Sequence, residues 1–194
     1  MIYSRNFICA LVTVLIASCT SKKTSHKTSA VNTKYNKEYI ASKKSFLGKL
    51  NPAQYIEIKT ALELELKTKL TEGKTILINY VQNAPNCIYE GNSKKNISIV
   101  TDNGLRILNE ISAKNNAIDF FVFTKDSYNN AILSTREQFI LDKGFFHNKV
   151  FTLHENCEDF FILKPDGEFM KYYGEDYYTE VECFLSRKKI KEIK

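Results

Sequence analysis

Two short runs constrain the fold more than anything else in this chain. TILINYV, residues 75–81, and IDFFVFT, residues 118–124, are rich in β-branched and aromatic residues and are bounded by polar turns. Runs of that length and composition read as strands buried in a sheet. Between them Leu105, Leu108 and Ile111 recur at helical spacing, with Asp102 or Asn103 as the cap and residues 97–100 as either a helix start or an extra strand. Strand, helix and strand in that order point to a crossover connection, which makes the two strands parallel neighbours.

The flanking segments extend this unit. Asn51-Pro52 opens a helix carrying Tyr55, Ile58, Leu62, Leu66 and Leu70 and ending at Glu72-Gly73-Lys74. Glu63–Lys67 and Glu65–Lys69 sit four residues apart with the acid first, the favourable order on a helix. Asn129 or Asn130 begins another helix through Ile132, Leu133, Phe139, Ile140 and Leu141, closed by Lys143-Gly144. Residues 149–153 read as a short strand. Residues 160–163 and 168–173 form a hairpin around Lys164-Pro165-Asp166-Gly167, where Pro presets φ and Gly takes the positive-φ position. A last helix spans residues 177–191, with Val181, Phe184, Leu185 and Tyr178 inward. The expected fold class is α/β, with a mixed central sheet flanked by helices.

The N-terminus carries an address. Arg5 precedes an apolar run over residues 7–16, and Ala17-Ser18 stand before Cys19. A positive start, a short apolar stretch and small residues at the end make a secretory signal over residues 1–18. The run is too short for an ordinary spanning helix, which takes about 20 apolar residues. Leu15-Ile16-Ala17-Ser18-Cys19 resembles a bacterial lipobox, which implies cleavage before Cys19 and lipid attachment to it. Thr20 follows where an Asp would mark inner-membrane retention, so the resemblance implies an outer-membrane lipoprotein facing the periplasm. Residues 19–45 are rich in Lys, Ser, Thr and Asn and read as a flexible basic tether. Residues 46–194 are then one domain of common size. The formal net charge of +6 lies partly in the tether and in Arg187-Lys188-Lys189. It fits solubility or attraction to anionic headgroups. No basic stripe interleaved with aromatics appears, so a nucleic-acid partner is not expected.

The element order, with three local passages, resembles the thioredoxin family. GKTILINYVQNAPNC resembles the family's first core strand leading to its Cys-x-x-Cys site. IDFFVFTKD resembles the second core strand, and EDFFILKPDGEFMKYYG the late hairpin. The resemblance covers residues 55–185 and implies a three-layer sandwich. The departures carry more meaning. Ala84-Pro85-Asn86-Cys87 falls where Cys-x-x-Cys belongs, yet only Cys87 is present. Glu158 stands near the family's cis-proline, beside Cys157. Dithiol exchange uses one cysteine to attack and a second to resolve the mixed disulfide. In the implied fold the loops bearing Cys87 and Cys157 lie side by side, so these two are the expected disulfide, closing a loop of about seventy residues worth ~4 kcal/mol. An exported compartment permits it. Cys183 is then left over as a small buried residue.

Four chemistries were open to these residues. Cys87 and Cys157 are candidate catalytic residues if the pair cycles, but no basic residue flanks either closely. His154 and Cys157, with Cys87, are candidate metal ligands, short of a full zinc ligand set. Asp102, Asp126, Glu158 and Asp159 belong to no hydrolase motif; Asp102 and Asp126 read as cap or turn residues. Tyr172, Tyr173 and Tyr177 are the candidate binding surface, since such rings bury area and keep a polar handle. The expectation is a binding or envelope-assembly component with a protein partner and no cofactor. The alternative is a divergent thiol–disulfide oxidoreductase.

Overall fold

The computed structural model describes residue 37 and residues 40–89, 91–175 and 177–186. The signal over residues 1–18, Cys19, most of the tether and Arg187-Lys188-Lys189 lie outside the described residues. In chain order the elements are β1 (Lys44–Lys49), α1 (Pro52–Glu65), β2 (Thr75–Val81), α2 (Lys94–Lys114), β3 (Ala117–Phe123), α3 (Asn130–Leu133), β4 (Phe139–Leu141), a π-helical turn (Phe146–Val150), β5 (Glu158–Leu163), β6 (Glu168–Tyr173) and α4 (Tyr178–Ser186).

One six-stranded sheet runs β1-β6-β5-β2-β3-β4. β2 and β3 are parallel, as are β3 and β4. β5 lies antiparallel to β2 on its other side, β6 antiparallel to β5, and β1 antiparallel to β6. Alternation along the strands sends side chains to two cores. Ile76, Ile78, Tyr80, Phe161 and Leu163 face Leu62 and Leu66 of the α1 segment together with Phe146 and Phe151. Leu77, Phe160 and Ile162 face Leu108 and Ile111 of α2 and Val181 and Phe184 of α4. The sheet is therefore covered on both sides, which is why β2 is buried at every residue. Each full burial of a Leu, Ile or Phe is worth about 1.5–3 kcal/mol.

Local chemistry sets the helix starts. Asn51 caps α1 by accepting from Gln54 N, Gln54 returns a bond to Asn51 N, and Pro52 sits at the first turn. Such a cap is worth about 1 kcal/mol against alanine. α1 ends at Glu65 rather than near Gly73. Lys67 takes positive φ (52°), and Glu63 turns to accept from Leu70 N at 3.0 Å and to pair with Lys69 at 3.1 Å. The ion pair formed there is thus neither of the two expected by helical spacing. α2 starts at Ser93, whose side chain accepts from Asn96 N. Residues 97–100 are helical, and Asp102 lies inside the helix, paired with Arg136 at 2.6 Å, instead of capping it.

Three further expectations are corrected. The helix expected over residues 129–144 is a single turn followed by β4. Phe139, Ile140 and Leu141 pair with Phe121, Val122 and Phe123, so the open edge of β3 outweighs helical spacing. Residues 149–153 form no strand. The chain makes a π-helical turn there, held by Asp142 accepting from the backbone N–H groups of Gly144, Phe146 and His147 at 2.9, 3.1 and 2.8 Å. The domain also begins before residue 46. β1 starts at Lys44, and Ser42 Oγ donates to Asn156 Oδ1 at 2.6 Å while Asn156 Nδ2 donates back to Ser42 O at 3.1 Å. β1 shows no apolar periodicity because it is an edge strand held by backbone pairing, with Phe46 and Leu47 exposed. At the other end of that pairing Gly167 has φ 87°, and a Cβ there would lie 2.6 Å from Leu50 O.

Candidate functional site

Three chain segments meet at the end of the sheet where β2 finishes. The loop after β2 brings Gln82 and Cys87, the loop before β5 brings residues 151–157, and the turn after β6 brings Gly174 and Glu175. Backbone bonds lock the first two together: Gln82 N donates to Cys157 O at 3.0 Å, and Asn86 N to Glu155 O at 3.1 Å. Cys87 and Cys157 are joined as a disulfide with Cα atoms 5.0 Å apart. Cys87 is 4% exposed and Cys157 0%.

Beside the bridge lie three acids, Asp159 and Glu175 buried and Glu158 partly buried. Glu175 Oε1 accepts the Cys157 N–H at 2.8 Å and sits 2.9 Å from Cys157 Sγ. Glu158 Oε1 accepts from Tyr128 Oη at 2.7 Å. Asp159 Oδ1 accepts from Gly174 N at 3.2 Å, and Asp159 Oδ2 from Gln82 Nε2 at 3.0 Å. Desolvation dominates all three and favours the neutral acid. It lifts Glu158 to about 7, raises Asp159 well above the usual range, and raises Glu175. The hydrogen bonds they accept work the other way, and the Glu175 charge adds to the rise at Glu158 and Asp159.

Gln82 organises the site. Its Nε2 faces the carbonyls of Leu153 and Asn156 at 3.2 and 2.9 Å as well as Asp159. That fixes the amide orientation, so Oε1 points at His154 Nδ1, 2.7 Å away, and the ring proton belongs on that nitrogen. The His154 ring stacks on His147 with centroids 3.9 Å apart, and His147 Nδ1 is hydrogen-bonded to Tyr80 Oη at 3.0 Å. Burial, then the neighbouring His147, holds His154 below its ordinary value. On the α2 side of the sheet a cavity of about 40 Å³ is lined in part by Glu158, Asn129, Asn79 and Tyr177. Its volume suffices for a water beside these polar groups.

Several expected site residues are placed differently. Tyr172, Tyr173 and Tyr177 are buried and do not form a binding surface. Tyr172 stacks on Phe160, Tyr173 takes the Thr152 N–H on its Oη, and Tyr177 donates to Asn79 Oδ1. The rings expected to offer a polar handle at the surface meet a sheet covered on both faces. Cys183 is exposed on α4, not buried. Among the described residues the donor atoms gathered for a metal come from Cys87, Cys157 and Glu175; His154 is turned to Gln82 instead. Gln82, Asp159, Glu175, Tyr128 and His147 are the members that sequence reasoning did not assemble. The one signal for them is Glu158-Asp159 at the head of an otherwise apolar strand.

Disulfide exchange needs a sulfur that an outside thiolate can reach. Both cysteines of this bridge are buried, so the arrangement ties two loops together beside acids whose desolvation favours the neutral form. No family model, no curated protein and no solved structure matches the chain.

Proposed function

We propose that the chain is a thioredoxin-like domain tethered to a bacterial outer membrane, facing the periplasm, and acting as a non-catalytic binding or envelope-assembly component. Closure of both sulfurs carries the non-catalytic part of this reading. The fold assignment is supported by the parallel β2–α2–β3 crossover with the β5–β6 hairpin antiparallel to β2. β1 and β4 extend that core at its two edges. With the tyrosines buried, the surface left for a partner includes Phe46 and Leu47 on β1, the edge strand among the described residues, where an added strand could pair.

A reductase assay on a model protein disulfide, with a dithiol as electron donor, is expected to show no rate above the donor alone. The Cys87–Cys157 bridge should stay intact in the folded protein. Turnover that disappears in Cys87→Ser would replace this reading with the oxidoreductase one. Glu175 against Cys157 Sγ is the observation that keeps that alternative in view.

The tether is tested separately. Cys19→Ser in the full chain is expected to abolish incorporation of labelled fatty acid. It should also leave the chain out of the outer-membrane lipoprotein fraction. Unchanged labelling of that variant would remove the lipid anchor from the proposal.

A further inference from the structure

We propose that Cys87, Cys157 and Glu175, once the bridge is reduced, form a binding site for one zinc-class divalent cation. The two Sγ atoms and a Glu175 carboxylate oxygen lie within 4.8 Å of one another, and all three residues are buried. Two thiolates and a carboxylate are a donor set for a soft-to-borderline ion, not for calcium or magnesium. Tetrahedral zinc, with Zn–S about 2.3 Å and Zn–O about 2.0–2.2 Å, spaces its ligands about 3.5 Å apart. Opening the bridge lets the sulfurs part to that distance while their backbones stay where they are. A fourth position falls to water.

The donors are held by the fold and not by the bridge alone. Cys157 immediately precedes β5, and Glu175 follows β6 by two residues; both strands pair along their length. Cys157 N donates to Glu175 at 2.8 Å, an outer contact of the kind that orients a ligating carboxylate. Without an ion, reduction leaves two thiols and an acid facing one another out of water. With it, every donor is satisfied, which is why the reduced state is the binding state.

The chemistry balances. A phosphine supplies two electrons and is oxidised to its oxide with the oxygen of one water, the two protons of that water go to the sulfurs, and the S–S bond becomes two thiols. Zinc binding then releases both thiol protons and forms two Zn–S bonds. No exchange catalysis and no membrane anchor is required.

The test uses the full chain in detergent with Cys9, Cys19 and Cys183 replaced by serine, so that Cys87 and Cys157 are the remaining cysteines. The protein is reduced with a phosphine and titrated with Zn²⁺ against a chromophoric chelator. Co²⁺ follows as a spectroscopic probe. One ion per reduced chain is expected, with a thiolate-to-cobalt charge-transfer band, and weak or no binding before reduction. Glu175→Gln, which keeps the bridge and is folded before reduction, is expected to weaken binding by at least the roughly 10–100-fold that loss of an outer-shell partner costs. Cys157→Ala is expected to abolish it. If reduction loosens the fold, zinc should restore the circular dichroism of the oxidised protein. Equal binding before and after reduction places the ion elsewhere and overturns the proposal. So does a reduced chain, folded or not, that takes up no zinc, and so does unchanged affinity in Glu175→Gln.

Discussion

Replacing both bridge cysteines, as Cys87→Ala with Cys157→Ala, is expected to lower the unfolding free energy by about 4 kcal/mol. The bridge spans a sequence separation of 70 residues, and closing a ring of that size removes a large share of the disorder available to the unfolded chain. In a domain of this size the melting temperature should fall on the order of 10 °C or more. The folded state gives little back, because the backbone bonds from Gln82 to Cys157 and from Asn86 to Glu155 hold the loops in register without the sulfurs. Denaturant unfolding of the two proteins without reductant measures the difference. A drop below about 1 kcal/mol would mean that the unfolded chain is already confined around these loops by other means, and the structural role of the bridge would fall.

The second large effect is on pH. Glu158 is partly buried and lifted to about 7 from an ordinary 4.5, chiefly by desolvation. The folded protein therefore holds a proton on this residue over a range where the unfolded chain has released it. The stabilising contribution is complete below about pH 4.5 and is lost as pH rises through 7. A shift of that size amounts to about 3 kcal/mol. Glu158→Gln keeps an oxygen to accept from Tyr128 Oη and cannot ionise. Unfolding free energies of wild type and Glu158→Gln, measured from pH 4 to pH 8, should therefore diverge by about that amount, with wild type losing ground toward high pH. Parallel pH profiles would show that Glu158 ionises in the folded state much as it does in water, and that the acid cluster is wetter than its burial implies.

What could be read from residues alone followed from how each element is held. β2 and the β5–β6 hairpin are specified by apolar, β-branched and aromatic runs and by the Pro-Asp-Gly turn, both local in sequence, and they stand where expected. β1 and β4 are edge strands of six and three residues whose order comes from a neighbour's open backbone, which no local pattern announces. Helical spacing through Phe139 and Ile140 was therefore misleading. The same division runs through the site. Cys87 and Cys157 were legible as a pair only through the resemblance in element order. Glu175 was not, since a glutamate after a glycine carries no mark of burial. Tyr172 and Tyr173 failed as surface residues because α4 covers the Tyr172 face of β6 while Phe151 and Phe46 of β1 pack on Tyr173, and β1 and α4 lie further back or along the chain than a window around the tyrosines reaches.

The ring closed by the bridge has a consequence for survival under proteolysis. α2, β3, α3, β4 and the π-helical turn all lie between its two cysteines. A protease that cuts once anywhere in that span opens a circle and does not divide a chain. The two pieces stay covalently joined, and β2 and β5, which pair with each other at the centre of the sheet, stay on either side of the joint. Damage to nearly half of the domain's elements is thereby made repairable by simple reclosure, where in an unbridged chain the same cut would let one half diffuse away.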